Sequence, residues 1–174
     1  MGCTYSDVRF DYPDLQITSF VSEEEVKLVL DSWKIIRNDT TVGLHVFTRF
    51  FQMHPEFKKL FTEQMMVEDN DLKVNEEKLR HHGNIVMEGL GAAVESLDDS
   101  VFLSNVLVTM GESHARHNVK PEMVILLWPA IRDAFNGCLG SDFTSQMATA
   151  WEHVFEYMAT KFKEGLRKES KHAR

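Results

Sequence analysis

Apolar residues recur at intervals of three and four along almost the whole chain, and no stretch alternates at two between turn dipeptides. That period buries one stripe of a helix, so the pattern predicts an all-α fold. Ser22 opens the first helix, its hydroxyl placed to cap the following amides while Glu25 reaches back, and Val26, Val29, Leu30, Trp33 and Ile36 form its stripe to near Asn38. The second runs from about Thr40 to His54 with Leu44, Phe47, Phe50 and Phe51 inward. Pro55 forces a new start, before a short turn carrying Phe57, Leu60 and Phe61. Residues 62–74 are acidic and weakly periodic, and are expected as a loop or short mobile helix that includes Met65 and Met66.

Asn75 then caps a long helix whose inward stripe is Leu79, His82, Val86, Leu90, Ala93 and Leu97. After Asp98 and Asp99, a further helix sets Phe102, Leu103, Val106, Leu107, Met110 and His114 in step. Pro121 opens the next at its first turn, Pro129 should kink it, and Gly140 closes it. The last helix carries Met147, Trp151, Val154, Phe155, Met158 and Phe162 inward, then frays into a basic tail. The expected division is an extension over 1–20, one domain over 21–163 and a tail over 164–174.

A chain of 174 residues buries enough surface to hold a core without staples. Its longest stretch free of charged or strongly polar side chains, Met123 to Ile131, is far short of the ~20 apolar residues of a membrane span. Two cysteines, Cys3 and Cys138, make neither a disulfide framework nor a zinc pattern, and residues 1–20 lack a secretory signal. Cytoplasmic residence is the default expectation. The net charge of −8 excludes a nucleic-acid partner, which requires a basic face. Residues 161–174 nevertheless hold six Lys or Arg against two Glu, a local +4 against −12 elsewhere.

Two histidines stand where core residues belong. His82 interrupts an apolar stripe, whereas His81 lies about 100° around the helix and should face out. His114 does the same 32 residues later. Each inward imidazole needs partners for its ring nitrogens, either a backbone carbonyl for each or a ligand shared between them, of which a metal is the usual one.

Three segments then resemble the globin family: VFTRFFQMHPEFKKLF from Val46 to Phe61, LRHHGNIVMEGLGAAV from Leu79 to Val94, and the Met-Gly-x-x-His run at 110–114. The resemblance covers roughly residues 21–163 and implies a globin fold of about eight helices around a haem b (iron protoporphyrin IX) pocket. His114 is then the proximal iron ligand and His82 the distal histidine. Phe47 and Phe61 wedge the porphyrin and crowd its distal side, Val86 sits beside bound ligand, and Met110, Val119 and Val124 line the proximal side. Ser113 is a candidate partner of the proximal imidazole, and Gly83, Gly89 and Gly91 fit close helix crossings. Ile85 stands where many globins place a basic residue near a haem propionate, and His117 is expected in a solvent-exposed loop. The pattern is most similar to the neuroglobin-like branch, in which both histidines hold iron until a gas displaces the distal one. An open, five-coordinate site is the other possibility.

The chain opens Met-Gly-Cys-Thr-Tyr-Ser, which fits myristoylation of Gly2 with palmitoylation of Cys3 beside it. Two acyl groups give stable anchoring where one does not, and a basic tail adds attraction to anionic lipid. An extension with Gly2 and Cys3 ahead of such a domain resembles the globin X branch. That resemblance implies a six-coordinate protein on the cytoplasmic face of a membrane, expected to be the plasma membrane. Candidate roles are redox, nitrite or nitric oxide chemistry, or signalling, with oxygen, carbon monoxide and nitric oxide as gas ligands. Nitrite reductase or nitric oxide dioxygenase turnover would take electrons from a partner, since 174 residues leave no room for a reductase domain. Alternatives are a soluble oxygen carrier or store and a haem-free helical regulatory module.

Overall fold

Ser22 caps the first helix as its sequence predicts: its hydroxyl accepts from the Glu25 amide at 3.3 Å, and a Glu25 carboxylate oxygen accepts from the Ser22 amide at 2.8 Å. A computed structural model describes residues 20–61, 65–68 and 71–172, with side chains left out at 65–68, 71–72 and 170–172. Gly2 and Cys3 lie outside the described residues, as do the side chains of Met65 and Met66. Seven α-helices follow in order among the described residues. These are α1 (Glu23–Ile36), α2 (Val42–Met53), α3 (Glu76–Glu95), α4 (Ser100–Ala115), α5 (Pro121–Val124), α6 (Trp128–Leu139) and α7 (Ser145–His172). A 3-10 turn over Pro55–Leu60 follows α2, and none of the described helices is long and apolar enough to cross a membrane.

Between that turn and α3 the chain forms a hairpin, β1 (Met65–Glu68) antiparallel to β2 (Asp71–Val74), rather than the loop or short helix expected there. The register pairs Met65 with Val74 and Val67 with Leu72. Only β2 spaces its apolar residues by two, at Leu72 and Val74, whereas β1 opens with Met65, Met66 and Val67 in a row, and four residues a side are too few to stand out as strand from sequence. Pro129 brings a second departure. A 3-10 turn over Ile125–Leu127 separates α5 from α6, so Pro129 falls in the first turn of a new helix, where its missing N–H costs nothing, and does not kink an existing one.

The core is organised around two indoles. Trp151, 1% exposed, donates its Nε1–H to Ser32 Oγ at 2.9 Å, and that hydroxyl in turn donates back along α1 to the Leu28 carbonyl at 2.8 Å. Phe135 meets the Trp151 ring edge-on with centroids 4.8 Å apart, and Trp33 lies 6.1 Å from it, fixing α1, α6 and α7 together. Leu30 and Phe102, expected inward, are exposed. On α4 the buried line is Leu103, Leu107 and Gly111, at intervals of four, which turns Phe102 about 100° away from it.

Two helix crossings bring backbone onto backbone. A Cβ on Gly43 of α2 would lie 2.5 Å from the Gly83 carbonyl oxygen of α3, so only glycine fits on either side. On α4 and α7, a Cβ on Gly111 would collide with the Phe162 carbonyl and one on Gly165 with the Val108 carbonyl. The last helix therefore does not fray after Phe162. It continues to His172, with Leu166 fully buried and Arg116 reaching Glu169 at 3.5 Å.

Candidate functional site: two facing imidazoles

The α2–α3 crossing decides where the first histidine points. Because Gly83 rests directly on Gly43, the preceding residue on α3 is carried against the apolar face of α2. The His82 ring meets Phe47 edge-on at 4.9 Å and Phe61 at 5.5 Å, and those two rings lie 5.6 Å from each other. Phe47, Phe61 and His82 thus stand together, while His81 is exposed. Burial is the main cause that lowers the His82 pKa, and the neighbouring imidazoles of His114, His81 and His117 push the same way. All of these favour a neutral ring with a free lone pair, the form that binds a metal.

His114 stands near the end of α4, close enough to act electrostatically on His82. Its Nδ1 lies 2.8 Å from the Met110 carbonyl oxygen, one turn back. A carbonyl can only accept, so Nδ1 carries a proton, and in the neutral ring the lone pair is therefore on Nε2. The ring also meets Phe162 of α7 edge-on at 5.0 Å. Both helices that could shift this imidazole are fastened by the Gly111 and Gly165 contacts. Met110 itself extends toward α3, its Cε 3.2 Å from where a Cβ on Gly89 would stand.

The remaining candidates are placed less tightly. Val86 and Val124 are half-buried against the core, and Val119 is half-buried just after Asn118, whose φ of 61° turns the chain out of α4. Ser113 is exposed, and the Met110 carbonyl takes the role at Nδ1 for which Ser113 was a candidate. Ile85 and His117 are exposed. Gly91 makes room for the Trp33 ring, 2.9 Å from its absent Cβ.

Among the described residues, no group of three or more His, Cys, Asp or Glu side chains could cage a bare metal ion. Two imidazoles within electrostatic reach of one another, each set against aromatic rings, instead suit a metal that brings its own equatorial donors, as a metalloporphyrin does. The donor set, the lowered pKa of His82 and the aromatic neighbours all fit that group.

Residues 44–162 match the family model described as Globin. The chain is a globin. Among its relatives are cytoglobin-1 of Oryzias latipes, 29% identical with 82% of each chain covered, and neuroglobin of Danio rerio, 26% identical over 87% of this chain and 96% of that one. Hemoglobin subunit alpha of Lepidosiren paradoxus is 30% identical over 75% of this globin and 87% of its own length. A solved hexacoordinated heme protein from an anhydrobiotic tardigrade has a similar fold, with a TM-score of 0.76 at 20% identity over 84% of this globin and 96% of that chain. The matched region contains all three segments on which the sequence resemblance rests.

Proposed function

We propose that this globin binds haem b with His114 as the proximal iron ligand and His82 as the sixth ligand in the resting state. One observation carries the assignment. Two imidazoles lie within electrostatic reach of one another, one with Nδ1 engaged by the Met110 carbonyl, the other with its pKa lowered by burial and set against Phe47 and Phe61. Bound there, haem supplies reversible gas ligation and one-electron chemistry. His114 and His82 would hold it through their ring nitrogens, and Phe47, Phe61 and Phe162 are the aromatic rings that pack against those imidazoles. With haem bound, oxygen, carbon monoxide or nitric oxide would compete with His82, and apparent affinity would then scale with the fraction of molecules in which His82 is not engaged. The relatives named neuroglobin and the solved protein described as hexacoordinated support this over an open oxygen store.

The opening Met-Gly-Cys-Thr-Tyr-Ser and the basic C-terminal segment support attachment to the cytoplasmic face of a membrane through acyl groups on Gly2 and Cys3, as in the globin X branch. The corresponding role is redox, nitrite or nitric oxide chemistry, or signalling, with electrons from a partner. His82→Leu tests the coordination: carbon monoxide binding to the ferrous protein should accelerate and the ligand-free ferrous form become five-coordinate. An unchanged binding rate sinks the six-coordinate assignment.

A further inference from the structure

A cleft of about 400 Å³ lies beside α2, lined at helical spacing by Leu44, Thr48 and Phe51 of that helix. Lys58, in the 3-10 turn after α2, and Val74, at the end of β2, also line it. An apolar lining of Leu44, Phe51 and Val74 with a few polar groups at this volume is the usual make-up of a small-molecule site. None of the residues assigned to haem lines the cleft, so what it binds is independent of the His82 and His114 assignment.

The charged groups lining the cleft are matched except one. Glu76 accepts from Arg80 at 2.8 Å, and His45 lies within electrostatic reach of Asp39. Lys58 is half-buried, and among the described residues its ammonium meets no carboxylate. Its backbone is held on both sides: Phe57 stacks on Phe50 at 5.7 Å, Phe61 meets Phe51 edge-on at 5.0 Å, and the Phe61 amide donates to the Lys58 carbonyl at 3.0 Å. The acidic positions 68 and 71 pair at the far end of the hairpin, three residues beyond Val74. At about 3.4 Å per residue that is about 10 Å, roughly one Debye length.

We propose that this cleft binds a medium-chain monocarboxylate, with the carboxylate on the Lys58 ammonium and the alkyl chain along Leu44, Phe51 and Val74. A half-buried cation without a counter-ion gains from an ionised acceptor, and the apolar lining gains from each methylene it covers. One unmatched positive charge suits a single negative charge; a polyphosphate would meet Glu76 with no second free cation beside it. Phe51 also touches Phe61, one of the two rings packed on His82, so the cleft shares a wall with that histidine.

The test titrates octanoate into the isotope-labelled full chain and follows the amide resonances by NMR. Saturable shifts centred on Leu44, Thr48, Lys58 and Val74 are expected, with hexanoate weaker by up to about fourfold per methylene removed. Lys58→Met, which keeps the aliphatic stem, should weaken octanoate about tenfold and leave octanol binding unchanged, as loss of one hydrogen bond to a charged group requires. Thr48→Trp, a large ring at an exposed position of the lining, should abolish binding while the helical circular dichroism is kept. Absence of saturable shifts in the unsubstituted chain would overturn the proposal, and so would shifts centred on Val86 and His114. Equal affinity for octanol and octanoate, or octanoate binding unchanged by Lys58→Met, would do the same.

Discussion

His114 Nδ1 and the Met110 carbonyl oxygen, one helical turn apart on α4, are 2.8 Å from each other. That bond fixes both the tautomer and the rotation of the imidazole before any metal arrives, so the axial nitrogen is preorganised. Replacing His114 with Gly should therefore remove stable haem retention while leaving the helical fold. Free imidazole added to the haem-loaded variant should restore a low-spin spectrum. A variant that retains haem unchanged without imidazole would remove His114 from the proximal role.

The Gly43–Gly83 contact makes a prediction about packing. A methyl group on Gly83 would stand 2.6 Å from the Gly43 carbonyl carbon, against backbone that cannot rotate out of the way. Gly83→Ala should cost about 1–3 kcal/mol in unfolding free energy, the usual penalty of an overpacked interior. It should also displace His82 from Phe47, since the two neighbouring residues share one helical turn. Urea denaturation measures the first effect, and a changed carbon monoxide on-rate in the loaded protein the second.

Ser32 is the polar group on which the α1–α7 junction closes. Removing its hydroxyl by Ser32→Ala leaves the Trp151 Nε1–H buried without its acceptor. A loss of about 1–3 kcal/mol in urea denaturation is expected for an orphaned buried donor. Because the junction lies away from both imidazoles, the absorption spectrum of the loaded protein should not change.

Acid sensitivity has a named contributor in Glu25. Its carboxyl is held below its ordinary pKa of 4.5 mainly by the Ser22 backbone amide, with the Ser22 hydroxyl and His153 adding to this and burial opposing it. A carboxyl depressed in the folded state stabilises the fold fully above its unfolded pKa, and that contribution disappears as pH falls through the folded value. Glu25→Ala should thus destabilise the protein by about 1 kcal/mol at neutral pH, the typical worth of a helix cap. The difference from the unsubstituted chain should shrink as denaturation is measured at successively lower pH below 4.5.

Much of this arrangement was legible in the sequence because it breaks a local rule. A polar ring within an apolar stripe is conspicuous, so His82 and His114 stand out, and Phe47 and Phe61 follow from their own stripes. The capping box at Ser22 is likewise local. What escaped depends on contacts between distant segments. Gly165 gives no sign in its own helix that it meets Val108, and so the basic end of α7 reads as a frayed tail although it is packed on α4. Ser32 reads as an ordinary helical serine until Trp151 arrives from 119 residues away. The stripe on α4 misled for a related reason: Phe102 and Leu103 are both apolar, and only the partner helix decides which one is buried. The Met110 carbonyl as partner of His114 was hidden because backbone acceptors leave no mark in sequence.

The absorption spectrum of the haem-loaded, dithionite-reduced protein without added gas tests the central claim most directly. Sharp, resolved visible bands of six-coordinate ferrous haem are predicted, with His82 and His114 as axial ligands. A single broad visible band would mean five-coordinate iron on His114 alone and would contradict the account.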